Sequence, residues 1–121
     1  MQNFLRAVES RDPERVAGCF SSDARYANIP HDPAVGTDAI RGLFGAILSR
    51  CEAVRWDIVS AAYLPDRAYL ERVDRFFIAG GEYAIECNGV FVVDRDAGLL
   101  TEVRDYVDLG LWRSRLAAAR Q

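Results

Sequence analysis

A change of hydrophobic period near Val54 constrains this chain more than any other feature. Before it, apolar residues recur at spacings of three and four, the period of a helix; after it they alternate every second residue, the period of a strand. Phe4, Leu5 and Val8 lie one helical turn apart. Asp12-Pro13 then offers an N-cap with proline at the first helical position, ahead of Val16, Cys19 and Phe20. Two short helices follow from this. Arg25 to Ile29 reads as a short strand, stopped by Pro30 and the turn-rich His31-Asp32-Pro33, with Tyr26 and Asn28 on one face. The strongest helix signal runs from Thr37 to about Cys51. Its stripe of Ile40, Leu43, Phe44, Ile47, Leu48 and Cys51 is suited to covering a sheet.

Downstream, strands are expected over about 54–63, 67–79, 82–93 and 99–107. Turns at Pro65-Asp66, Gly80-Gly81 and Asp94 to Gly98 divide them. Helices first and consecutive hairpins afterwards indicate an α+β architecture, with helices packed on one face of a curved antiparallel sheet. A chain of 121 residues, 50% apolar, suits one compact domain spanning 1–121; at this size folding buries roughly two-thirds of the surface of the unfolded chain.

Charge removes several function classes. A net charge of -3 and an acidic pI of 5.1 disfavour binding to a phosphate backbone. All 15 basic residues are arginine. Schiff-base chemistry and a phosphate-loop lysine are therefore excluded, and any cation in a site is a guanidinium that cannot act as a base. Cys19, Cys51 and Cys87 are odd in number and widely spaced, so they read as core thiols rather than a disulfide framework or a metal site. His31, the sole histidine, reads as a loop residue. No G-x-S-x-G, G-x-G-x-x-G, phosphate loop or H-E-x-x-H is present, which counts against serine hydrolases, dinucleotide enzymes and zinc proteases. The start of the chain lacks a cationic segment followed by a long apolar run, and a cytoplasmic protein with no membrane or nucleic-acid partner is expected.

The chemistry lies in two strands. Between Tyr69 and Phe77, alternation puts Leu70, Arg72, Asp74 and Phe76 on one side, a charged pair flanked by apolar residues. In the last strand Leu99, Thr101, Val103, Asp105 and Val107 share a face whose one charge is Asp105. Inward carboxylates are costly unless paired, so either these strands are solvent-exposed or Arg72 stands between the two acids. Two carboxylates sharing one guanidinium can hold one proton between them, giving an acid and a base near neutral pH. Alternation alone leaves open whether these three residues form a structural ion-pair network, ordinary solvated positions or a site. Asp57, Asp66, Asp94 and Asp96 read as solvated, and Glu71 and Glu82 as lying opposite Arg72 and Asp74 or at a strand start.

Five segments taken together, Phe4-Leu5-Arg6-Ala7, Tyr26-Ala27-Asn28-Ile29-Pro30, Leu70 to Phe76, Gly89-Val90-Phe91 and Arg104 to Leu109, are ordered and spaced in a way that resembles the limonene-1,2-epoxide hydrolase family over nearly the whole chain. The resemblance implies the cone-shaped sheet of the ketosteroid isomerase and nuclear transport factor 2-like superfold. It implies a catalytic set in which Asp105 is the general base, Tyr26 and Asn28 hold the attacking water with it, Asp74 is the general acid and Arg72 bridges the acids. The expected reaction is addition of water to a small-molecule epoxide, giving a vicinal diol without cofactor, metal or covalent intermediate. A homodimer is also implied.

Leu43, Ile47, Leu70, Phe76, Ile85, Cys87, Val103 and Val107 are the expected lining of the substrate pocket. Val103 and Val107 stand where the family commonly carries Trp and Phe, so a roomier pocket is expected. Two other readings stay open. One is an isomerase or cyclase of the same superfold, the other a non-catalytic ligand-binding or dimerisation module.

Overall fold

The structure, a computed structural model, describes residues 2–119. Helix α1 spans Gln2–Glu9 and α2 Pro13–Ala17; Asp12 caps α2, its carboxylate accepting the Glu14 amide at 2.9 Å. Strands β1 (Phe20–Ile29) and β2 (Ala34–Val35) lead to α3 (Thr37–Leu48), which buries Ile40, Phe44 and Leu48 one turn apart. The long strands β3 (Ala53–Leu64), β4 (Arg67–Ile78), β5 (Gly81–Asp94) and β6 (Leu99–Val107) follow, and α4 (Leu109–Ala119) ends the described chain.

The sheet has six strands in the order β2-β1-β6-β5-β4-β3. The meander from β3 to β6 is antiparallel as its alternation implies, but β1 joins β6 in parallel, so the sheet is mixed. This pairing sets Tyr26 beside Val103 and Asn28 beside Asp105. The β4–β5 turn falls at Ala79-Gly80, one residue earlier than the glycine pair suggests. Both residues have positive φ (51° and 80°), the geometry of a two-residue hairpin whose twist matches the strands.

A register shift between Val92 and Val93 changes which residues of β6 face inward. Val103 and Asp105 are buried as alternation requires, yet Leu100 is buried in place of Leu99 and Thr101, which are only half-buried. A period-two reading crosses such a bulge without detecting it.

Phe4 of α1 anchors the core, its ring 5.6 Å from Phe20, 6.0 Å from Phe44, 5.9 Å from Trp56 and 5.6 Å from Phe91. That cluster closes one end of the inner sheet face. Residues of α3 and α4 line a cavity together with Asp74 and Asp105. Cys51 and Cys87 are buried and Cys19 half-buried, all as free thiols. No helix among the described residues is long and apolar enough to cross a membrane.

Candidate active site

Arg72 projects inward from the middle of β4, where β-sheet alternation and the neighbouring Leu70 and Phe76 fix its direction. Its guanidinium holds both acids in a fork-to-fork manner. Nε and Nη2 donate to Asp74 at 2.7 and 3.1 Å, while Nη1 and Nη2 donate to Asp105 at 3.0 and 2.8 Å. The Tyr26 hydroxyl donates to Asp105 Oδ2 as well. Arg72, Asp74 and Asp105 are the buried charged residues of the described chain, at 1%, 5% and 2% exposure. Four of the five guanidinium N–H groups thus have partners inside a nearly dry site.

Aromatic rings complete the cradle. The Arg72 Cζ lies 4.3 Å from the centroid of the Trp56 ring and 5.6 Å from that of Phe91. Trp56 is brought there by the β3–β4 ladder, in which it pairs with Asp74. Gly89 on β5 stands opposite Asp105 on β6 and Leu70 on β4, and its missing side chain leaves the path along which the guanidinium reaches over β5.

The electrostatics follow from this packing. Burial pushes the Asp74 carboxyl up to about 6; the Arg72 guanidinium opposes the rise and the Asp105 charge adds to it. Burial also works against the charge on Arg72, but the two carboxylates outweigh it and keep the guanidinium ionised. The Tyr26 hydroxyl is raised well above its ordinary value, by burial first and the Asp105 charge second, so it remains a donor. Burial and Asp105 raise the Cys87 thiol too, which keeps it protonated and unreactive. With both acids ionised the three charged groups sum to one negative charge. A single proton on Asp74 neutralises the set.

The acids open onto a cavity of about 350 Å³, whose lining includes Tyr26, Asn28, Asp74 and Asp105. Of the expected pocket residues, Leu43, Ile47, Phe76, Ile85, Cys87 and Val107 line it. Leu70 and Val103 do not, being 2% and 0% exposed in the core cluster. Val103 sits between Tyr26 and Phe91 in the sheet, at the end that Phe4 closes, so enlargement at this position would meet core rather than cavity. The Asn28 carboxamide faces the cavity without a hydrogen-bond partner among the described residues, whereas the Tyr26 hydroxyl is engaged by Asp105.

Sequence reading missed the α4 wall, where Leu109, Trp112 and Leu116 line the cavity and Trp112 packs 4.9 Å from the Phe76 ring. Its start was readable: Asp108 caps the helix, its carboxylate accepting the Leu111 amide at 3.0 Å. Trp56, Phe44 and Arg50 were also missed. Among the described residues no group of three or more His, Cys, Asp or Glu side chains is placed to hold a metal ion.

Comparison with known proteins decides the family. Residues 1–103 match the SnoaL-like domain. The chain belongs to that family. Its fold is shared with an LEH-like epoxide hydrolase from M. tuberculosis at a TM-score of 0.78 and 24% identity, over 98% of this chain and 86% of that one. The BvnE pinacolase of Penicillium brevicompactum superposes at a TM-score of 0.82 and 16% identity, covering 99% and 93% of the two chains. The epoxide hydrolase/cyclase-like enzyme SalBIII, described in pyran ring formation in the polyether salinomycin, superposes at 0.77 and 14% identity over 90% and 88%. This SnoaL-like domain therefore shares its architecture with proteins of several activities, and the chemistry has to be argued from its own site.

Proposed function

We propose that this SnoaL-like domain is an epoxide hydrolase that adds water to a small organic epoxide in one step. The observation that carries the reading is the guanidinium of Arg72 clamped between two buried carboxylates that line a mainly apolar cavity. Such a set stores one proton and presents an acid and a base no more than two hydrogen bonds apart.

Asp74, whose carboxyl burial pushes up to about 6, is the acid. It delivers its proton to the ring oxygen as the C–O bond breaks. Water attacks the ring carbon from the far side and loses a proton to Asp105. Three donors already hold that carboxylate, two from Arg72 and one from Tyr26, leaving acceptor capacity for the water. Asn28 supplies a further polar contact for the water from β1. The reaction ends with the proton on Asp105 rather than Asp74. Because Arg72 touches both acids, either protonation state leaves it paired.

The M. tuberculosis neighbour supports the reading by its described activity. An isomerase or cyclase of this fold wants one isolated base, and the engagement of both acids by Arg72 argues against that arrangement. Turnover of a graded epoxide panel tests the proposal. The wild-type chain converts epoxides to diols, and Arg72→Lys, Asp74→Asn and Asp105→Asn each lose on the order of 10²-fold or more while remaining folded. A panel left intact by the wild type, or near wild-type turnover in any of the three variants, overturns it.

A further inference from the structure

Arg50 is the one basic side chain among the described residues that line the cavity. Arg72 lies beneath the acids and is spent on them, whereas Arg50 follows the C-terminal end of α3 and is half-buried at the cavity wall. Among the described residues its guanidinium meets only the Leu116 carbonyl, at 3.5 Å, the outer limit of a hydrogen bond. Neither cavity-lining acid pairs with it, since both are held by Arg72. The rest of the lining is mainly apolar, including Phe76, Ile85, Ile47 and Trp112.

The sheet ties the backbone next to Arg50 to the strand that carries Asp74. The Glu52 amide bonds the Phe77 carbonyl at 2.7 Å, which ties the chain just after Arg50 to β4 three residues beyond Asp74. Along β4 the three residues from Asp74 to Phe77 span roughly 10 Å of backbone. One cavity thus offers a proton donor and acceptor, a mainly apolar lining and a guanidinium that, among the described residues, stands outside the ion-pair network.

We infer that Arg50 is a specificity-determining residue, and that the substrate is an amphipathic epoxide carrying a carboxylate separated from the ring by an apolar spacer. The inference rests on the proposed hydrolase activity for the word epoxide, but not for the anion site. A carboxylate fits better than a phosphate dianion because a single guanidinium meets it with matching charge and bidentate geometry. A neutral epoxide of the same shape would leave the Arg50 donors without a partner as it displaced water from around them.

The test has a binding arm and a turnover arm, both on the whole chain. Decanoate and decanamide are the unreactive probes, titrated by calorimetry into wild type, Arg50→Gln and Arg50→Lys. Decanoate is expected to bind wild type about tenfold or more tightly than decanamide. The difference should vanish in Arg50→Gln and persist in reduced form in Arg50→Lys. Equal binding of the two probes by wild type, no detectable decanoate binding, or a preference that survives in Arg50→Gln overturns the inference.

In the turnover arm, an ω-epoxydecanoic acid and its methyl ester are compared. The acid-to-ester ratio of kcat/KM is expected to be on the order of ten in wild type and to fall towards one in Arg50→Gln, with the change carried by KM. Arg50-dependent decanoate binding with no turnover of either epoxide refutes the hydrolase reading and leaves the anion site standing. Equal turnover of acid and ester, with indifferent probe binding, does the reverse.

Discussion

The guanidinium of Arg72 occupies space that any side chain on Gly89 would claim: a Cβ built on Gly89 stands 2.7 Å from Arg72 Nη1 and 2.7 Å from Asp105 Oδ1. The glycine is a condition for the bridge between strands β4 and β6. Neither neighbour can yield, because four hydrogen bonds fix the guanidinium and three fix Asp105. Gly89→Ala is expected to cost about 1–3 kcal/mol in stability, by overpacking. Turnover should fall on the order of 10²-fold through loss of alignment. Thermal unfolding and steady-state kinetics on the same preparation measure both, and wild-type turnover in Gly89→Ala would contradict the role given to the bridge.

Tyr26 separates packing from chemistry. Its ring packs edge-on against Phe44 at 5.1 Å and Phe20 at 6.1 Å, contacts that Tyr26→Phe retains. What the variant loses is the hydroxyl that donates to Asp105. Stability should change by about 1 kcal/mol, while kcat drops roughly tenfold or more as Asp105, the proposed base, loses one of its orienting donors. An unchanged kcat would remove Tyr26 from the catalytic set.

The acid role proposed for Asp74 has a pH signature. Its carboxyl sits at about 6 in the folded protein against an ordinary value of 3.8, so the folded state binds this proton more tightly than the unfolded one. The stabilising contribution of that proton is fully present below 3.8 and is lost as pH rises through about 6. Activity that needs protonated Asp74 should follow the same limb, with kcat falling tenfold per pH unit above about 6. A kcat profile flat from pH 5 to 8 would be incompatible with Asp74 as the acid.

Val103 and Val107 lie four residues apart on β6 yet should respond differently to enlargement. Val107 lines the cavity, and Val107→Phe is expected to shift preference towards smaller epoxides by about 1–3 kcal/mol. Val103 is 0% exposed between Tyr26 and Phe91, so Val103→Phe should destabilise the fold by about 1–3 kcal/mol. Substrate ranking and thermal melts for the pair check this. A selectivity change confined to Val103→Phe would reverse the assignment.

Period-two alternation was enough to bring Arg72 and Asp74 to one face, and the apolar neighbours of Asp105 were enough to turn it inward. Local pattern carries that information because a buried sheet face punishes a one-residue slip. It carries little about partners distant in sequence. The parallel pairing that sets Asn28 beside Asp105 joins residues far apart in the chain, and nothing near either residue announces it. The bulge that exchanges Leu99 and Thr101 for Leu100 is likewise a property of the ladder. Gly89 was visible as part of a motif, but its purpose depends on a guanidinium crossing from the neighbouring strand. Helix α4 was overlooked because Leu109, Leu111, Trp112 and Leu116 do not form a single clean stripe, although Asp108 marked its start.

The central claim, that a water held at Asp105 attacks the epoxide directly, is tested by a single turnover with enzyme in excess in ¹⁸O-water. Attack by water places ¹⁸O in the diol during the first turnover and leaves the protein unlabelled. Attack by the Asp105 carboxylate would pass through an ester, giving an unlabelled first diol and ¹⁸O in the peptide that contains Asp105. The account predicts labelled diol and unlabelled peptide from the first turnover onward; the opposite distribution would contradict it.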